Sequence, residues 1–201
     1  MVLRLKPERK EEKDRTRDEL QRAALRLGAA HGFASLGLRE VAREALIAPT
    51  SFYRHFEDME ALGLSIIRDK VEPFVLEWVD AFGSTDEEPP VELVEAVFRS
   101  VDRDPELTRF LVAERVGSSA VLREAFRAAL RALGEPLFGA LPVSKRSRAL
   151  LDAADLMTVL LLDAAAELLD CLPDARPALR HRSLARLAHA LASAHSAGRK
   201  P

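Results

Sequence analysis

Apolar residues recur at three- and four-residue spacing along almost the whole chain. Leu20, Ala23, Leu27 and Ala30 form one such run, and Leu150, Ala154, Met157, Leu161 and Ala164 form another. This spacing puts side chains on one face of an α-helix. No segment alternates apolar and polar residues for long enough to predict a strand. Helix breakers stand between the runs: Gly32, Gly37, the stretch 84–90, Asp104-Pro105, Gly117-Ser118-Ser119, Leu141-Pro142-Val143-Ser144, Pro173 and Pro177. They divide the chain into about nine helices and predict an all-α protein. The first three helices are short and closely spaced, whereas the later ones are longer and richer in Ala and Leu. That shift predicts a small unit over 1–57 and a larger one over 58–201, joined through a helix at 60–82.

Size and composition narrow the picture. A chain of 201 residues with 48% hydrophobic residues can bury a sizeable core, which excludes wholesale disorder. Its longest apolar stretch, 156–162, falls far short of the roughly 20 residues that a membrane span needs. The first 17 residues are crowded with charge and lack an apolar centre, so no secretory signal is expected and the chain is read as cytoplasmic. The single cysteine, Cys171, excludes an internal disulfide and a thiolate metal cluster. Net charge is −2, but residues 1–56 hold 12 Lys/Arg against 8 Asp/Glu, leaving +4 there and −6 on the remainder. A basic arm and head on an acidic body suit a nucleic-acid partner and equally suit a solvated tail.

The head carries the chemistry that decides between these. The stretch 39–45 reads as a short helix burying Val41, Ala42 and Ala45, and 49–56 as a second burying Phe52 and Phe56. Leu46-Ile47-Ala48 leaves room only for a tight turn, so the two helices cross steeply as a helix-turn-helix. Pro49 suits the first helical position, where its missing N–H sacrifices no hydrogen bond. Thr50 and Arg54 then point away from Phe52, flanked by Ser51 and Tyr53. Hydroxyls, a guanidinium and a phenol on one exposed face suit phosphate oxygens and base edges.

The runs Leu38-Arg39-Glu40-Val41-Ala42-Arg43-Glu44-Ala45 and Ile47-Ala48-Pro49-Thr50-Ser51-Phe52-Tyr53-Arg54-His55-Phe56 closely resemble the DNA-binding domain of TetR-family repressors. The resemblance implies a three-helix DNA head on a helical ligand-binding and dimerisation body, a homodimer, a palindromic double-stranded DNA operator and a small-molecule effector. Carried over by position, it places Arg39 on a base or phosphate, Thr50 and Ser51 at base edges, and Tyr53 and His55 on the phosphate backbone, with Pro49 and Arg54 in the same interface. Phe33-Ala34-Ser35-Leu36, Glu60-Ala61-Leu62-Gly63-Leu64 and Glu114-Arg115-Val116-Gly117-Ser118-Ser119 further resemble the branch that represses unsaturated fatty-acid synthesis, of the FabR and DesT type. That branch implies a long-chain acyl-CoA or acyl-carrier-protein thioester as effector. Two positions depart from the pattern. Leu46 stands where relatives place Gly in the turn, implying strain if its φ is positive. Met59 stands where many relatives place a phosphate-binding Lys, for which Arg43, Arg15 and Arg17 are candidate substitutes.

In the body, Phe74, Trp78 and Phe82 share one helix, and Phe98, Phe110, Phe126 and Phe138 follow. Each ring taken singly reads as core. Trp78 is the strongest candidate for a pocket wall, because a buried indole N–H needs a partner. Met157 and Leu160 suit a flexible acyl chain, Asp163 sits in apolar company, and Arg103, Arg109, Arg115 and Arg123 are cations for thioester phosphates. Arg115 can equally pair with its neighbour Glu114. Candidate ligand contacts are therefore Phe74, Trp78, Phe98, Phe110, Arg115, Phe126, Met157, Leu160 and Asp163. The stripe Leu184, Leu187, Ala188 and Leu191, with Ala185 and Ala192 beside it, fits a four-helix dimer interface or an intramolecular core. His31, His55, His181, His189 and His195 lack metal-ligand spacing, and neither a phosphate-binding glycine loop nor a nucleophile elbow is present. No enzyme, cofactor or metal is expected. The competing readings are a xenobiotic-responsive regulator of an efflux pump and, in another class, a helical lipid carrier or acyl-processing enzyme.

Overall fold

A computed structural model describes the backbone of residues 5–83, 89–131 and 148–197, and the side chains of 10–81, 91–131 and 155–193. Phe138, the breaker at 141–144, Arg4, and the side chains of Lys6, Arg9, Phe82, Leu150, Ala154 and His195 lie outside them. The described residues are helical: α1 (Leu5–His31), α2 (Leu38–Glu44), α3 (Pro49–Phe52), α4 (Met59–Ile66), α5 (Glu72–Gly83), α6 (Pro89–Arg103), α7 (Pro105–Glu114), α8 (Ala120–Arg131), α9 (Arg148–Leu169) and α10 (Arg176–Ala197). A π-turn over Ile67–Val71 makes α4 and α5 continuous, so the described residues form nine helices. Pro73 accounts for that turn. It has no N–H for the Asp69 carbonyl, and just before it the ladder widens, with the Glu72 N–H donating to Ile67 O.

In the head, α1, α2 and α3 close around Leu20, Ala23, Ala24, Val41, Phe52 and Phe56, all buried. Leu46 has φ 56°, the left-handed conformation expected of the turn. The geometry is a Schellman cap: the Ile47 N–H donates to Ala42 O at 2.8 Å and the Leu46 N–H to Arg43 O at 3.0 Å. Ile47 returns to pack on the core, while Leu46 is 94% exposed. The turn therefore keeps its shape without glycine, at roughly 1 kcal/mol or more of left-handed strain. The expected helix at 49–56 is shorter. Its α-helical part ends at Phe52, and the chain tightens into i→i−3 bonds, with the Arg54 N–H on Ser51 O and the His55 N–H on Phe52 O. That tightening swings Phe56 into the core before Asp58 caps α4 by accepting from the Ala61 N–H at 2.7 Å.

The head is docked onto the body rather than tethered to it. Phe33 is buried edge-on against Phe110 of α7, 5.2 Å between centroids, and Phe110 packs on Phe126 of α8 at 5.4 Å. Gly63 lets α4 approach α8 closely: a Cβ there would stand 2.9 Å from Leu122 Cδ2 and 3.1 Å from the Phe33 ring. Ser119 caps α8 by accepting from the Leu122 N–H and donates to Glu60 of α4 at 2.8 Å. Glu114 is buried and accepts from the Phe33 backbone N–H, but burial outweighs that bond and pushes its carboxyl above the usual value. Gly117 leaves it room, since a side chain there would collide with the Glu114 carboxylate.

Two outcomes are expected. Leu46→Gly relieves the left-handed strain and raises stability by up to about 1 kcal/mol in urea unfolding, the gain being trimmed by glycine's greater unfolded-state freedom. A loss would mean the turn carries no strain. Because the Glu114 carboxyl titrates higher folded than unfolded, the native protein holds that proton longer. Stability on this account is full below the ordinary glutamate value of about 4.3 and is lost as pH rises through the folded one. Glu114→Gln keeps an acceptor for Phe33 and removes the charge. It is expected to match the wild type in acid and to exceed its stability at neutral pH; a variant less stable at neutral pH would contradict this.

Candidate nucleic-acid interface

One face of the head collects polar side chains that the fold leaves unsatisfied. Pro49 opens α3 as its first residue, with Ala48 in extended conformation before it. From there Pro49, Thr50, Tyr53 and Arg54 are exposed, Tyr53 by 65%, while Ser51 and His55 are partly covered. Arg39, in the first turn of α2, is exposed on the same unit. The side chains of Arg39, Thr50, Tyr53 and Arg54 make no hydrogen bond or ion pair with the described residues. Phe52, directly opposite, is fully buried against Phe56 and the Tyr53 ring. The amphipathic split read from the sequence is therefore realised in one and a half turns.

Beside this face runs an open groove of about 600 Å³ lined by Glu12, Lys13 and Thr16 of α1, Leu46 and Ile47 of the turn, and Ser51, Arg54 and His55. Lys13 falls seven residues before Leu20, so it continues the core-facing side of α1 past the edge of the core. His55 Nδ1 is buried without a hydrogen-bond partner. Burial first, then the positive charges of Lys13, Arg17 and Arg54, hold its imidazole below the usual histidine value. The ring is thus neutral in a cationic surround, a setting that an anion would relieve. Lys13 is the functional candidate that sequence reasoning missed. Its register with Arg17 and Leu20 was the available signal.

The remaining candidates separate. Met59 is half-buried against the core and offers no charge. Arg43 is exposed. Arg15 is exposed with only a loose 3.7 Å pair to Glu19. Arg17 turns inward: its guanidinium lies 3.3 Å from Asp69 Oδ2, 3.5 Å from His55 O and 4.6 Å from the centroid of Phe56.

The ligand candidates of the body are packed together. Phe74, Trp78, Phe98, Phe110, Phe126 and Met157 are buried, and Leu160 is half-buried. The Trp78 indole N–H has its partner in Ser100 Oγ at 3.1 Å. Phe110 packs on Phe33 and is backed by Phe126, as above. The cations read as phosphate ligands are engaged elsewhere: Arg103 pairs with Glu77 at 2.7 Å, Arg109 with Asp170 at 3.1 Å, and Arg123 donates to the carbonyls of Gly117 and Ser118. Arg115 forms no ion pair with Glu114, because neighbours on a helix point about 100° apart and Glu114 faces Phe33. Arg115 Nε is buried without a partner. Asp163 is exposed and pairs across to Arg186 of α10 at 3.0 Å, so it belongs to the solvated face. Among the described residues, no group of His, Cys, Asp or Glu is arranged to hold a metal ion, and no helix is long and apolar enough to cross a membrane.

Comparison with known proteins agrees with this geometry. Residues 20–66 match the family model of bacterial regulatory proteins, tetR family. The fold is similar to a tetR family transcription regulator from Shewanella sp. PV-4, at 19% identity and TM-score 0.68 over 86% of this chain and 95% of that one. It is also similar to the fatty acid degradation regulator FadR from Bacillus halodurans, at 20% identity and TM-score 0.64 over 83% and 97%. SmeT, solved as its complex with triclosan, matches at 20% identity and TM-score 0.64 over 89% and 90%. Residues 20–66 are thus similar to the family model of tetR regulatory proteins, and the described chain shares the fold of solved tetR regulators.

Proposed function

We propose that the protein is a homodimeric transcriptional repressor that reads a palindromic operator through α3 and releases or tightens on it when a long-chain acyl thioester enters the body, in the manner of the FabR and DesT branch. The observation that carries the DNA reading is the unpartnered face of Arg39, Thr50, Tyr53 and Arg54 beside the Lys13–His55 groove. In this reading Thr50 and Ser51 meet base edges in the major groove, Arg39 a base or phosphate, and Tyr53, His55 and Lys13 the phosphates. Dimerisation is supported by apolar surface on the two longest helices of the body. Leu156 and Val159 of α9 are 48% and 52% exposed, and Ala185, Ala188 and Ala192 of α10 are exposed too. Leu187, from the same stripe, is spent inside the chain. The small alanines permit close approach of a second copy in a four-helix contact.

The acyl reading rests on the sequence resemblance and gains modest support from the shared fold with FadR. In this reading the buried side chains of Phe74, Trp78, Phe98 and Met157 supply the apolar contacts to the acyl chain. The fold shared with SmeT bound to triclosan keeps a xenobiotic effector as the second reading.

Selection from random duplex DNA is expected to enrich a palindrome with half-sites about one helical turn, roughly 10 bp, apart. Tyr53→Phe should weaken binding to all sequences alike, whereas changes at Thr50 or Ser51 should shift base preference. No enriched palindrome would sink the repressor reading. Titrating the operator complex with palmitoyl-CoA, oleoyl-CoA and free CoA at fixed salt tests the effector. An acyl thioester is expected to change operator affinity, a hundredfold effect corresponding to about 2.7 kcal/mol of coupling, while free CoA does not. If neither acyl thioester binds and triclosan releases the DNA, the xenobiotic reading replaces this one.

A further inference from the structure

Arg17 carries a charge that the sequence assigns to the DNA face, yet the fold gives its guanidinium three partners from two other elements. It pairs with Asp69 Oδ2 and donates to the His55 carbonyl, at the end of the recognition segment. It also lies over the ring of Phe56, 4.6 Å from the centroid. Asp69 is not a loose partner. It sits inside the π-turn, where Gln21 Nε2 donates to its Oδ2 and to Ser65 Oγ, both at 2.9 Å, and Arg68 Nε donates to its Oδ1 at 2.8 Å. Gln21 and Ser65 are buried, and one residue on, Lys70 grips Asp18 of α1. Burial alone would push the Asp69 carboxyl up. The hydrogen bonds from Arg68, Gln21 and Arg17 outweigh it and hold the group below the ordinary carboxylate value, so it is a fixed anion.

We infer that Arg17 is a positioning residue and not a phosphate ligand: Asp69 holds it, and it in turn sets the angle at which the recognition segment leaves α3. The inference rests on the DNA-binding reading above and names how that site is held. The backbone of 53–56 is closed by the Arg54, His55 and Phe56 N–H bonds to Ser51 O and Phe52 O, and Phe56 packs on Phe52 in the core; Arg17 ties that segment to α1 and, through Asp69, to the π-turn. Phe56 and the His55 carbonyl are the two features of that segment in Arg17's grasp. The anchor sits on the helix whose next turns carry Phe74 and Trp78, so any rotation of that helix at the π-turn moves the anchor of α3.

The test compares salt-dependent binding to the duplex that the wild type selects with binding to a random duplex. Lys13→Ala, loss of a phosphate contact, is expected to lower the slope of log affinity against log salt by about one. Arg17→Gln is expected to weaken operator binding at least tenfold with the slope unchanged and random-duplex binding little altered. Asp69→Asn is the sharper variant. Removing a negative charge from the head should by itself strengthen attraction to DNA, whereas the positioning account expects operator binding to weaken by a similar factor. The double variant should be no weaker than either single one, because both break the same link. Arg17→Lys keeps the charge and should keep the slope while losing operator-over-random discrimination; it carries the test if an uncharged variant fails to fold. A slope reduced by about one in Arg17→Gln, or operator binding unchanged or tightened in Asp69→Asn, would overturn the inference while leaving the DNA reading intact. Absence of any selected duplex for the wild type would overturn both.

Discussion

One continuous helix runs through the hydrophobic core that the head and the body share, and the packing of the described residues depends on it. Through α4 it contributes Leu62 and Ile66 to the packing around the head, and through α5 it contributes Phe74, Val75 and Trp78 to the body, all buried. A regular helix cannot contain Pro73 without losing a backbone bond, and the π-turn at Ile67–Val71 absorbs the defect. The extra residue of that turn changes the facing of everything after it, which lets one continuous helix present an apolar stripe to each unit. Phe33 wedged on Phe110, Gly63 under Leu122 and Ser119 on Glu60 then lock the head at one angle to that helix. The recognition face inherits its orientation from these contacts.

Charge is distributed by the same logic. Arginines of the body are largely spent on carboxylates from neighbouring helices, as in Arg103 with Glu77, Arg176 with Asp102, Arg180 with Glu95 and Arg186 with Asp163. Pairs so exposed contribute little stability, about 0–1 kcal/mol each. Their larger consequence is that they neutralise cations of the body, while Arg39, Arg54 and Lys13 of the head form no ion pair with the described residues. Within residues 1–56, Asp18 pairs with Arg22 and with Lys70 of the π-turn, and Glu44 pairs with Arg26.

The helical architecture was legible because amphipathic spacing and breakers are local properties. The two helices of the hairpin and Pro49 at its first helical position follow from short windows of sequence, whereas the sequence leaves the conformation of Leu46 open and the fold sets it at φ 56°. What escaped is long-range. Nothing near Arg17 in the sequence announces Asp69, which lies 52 positions away. Glu114 and Arg115 looked like a pair because they are adjacent, yet adjacency on a helix separates side chains. Phe110 and Phe126 read as candidate ligand contacts, and the fold stacks them behind Phe33, far off in sequence. The recognition helix was read four residues too long because Tyr53, Arg54 and His55 keep near-helical spacing in a tighter turn. Lys13 lies before the first apolar run, so it is the groove formed with the turn and His55 that singles it out.

Hydroxyl-radical footprinting on the duplex that the protein selects tests the central claim, a two-headed reader whose α3 segments are held at fixed angle, most directly. The account predicts two protected patches related by a dyad, on one face of the duplex, each flanked by backbone protection where Lys13 and Tyr53 reach the phosphates. Protection confined to a single patch, or spread evenly without a dyad, would contradict it.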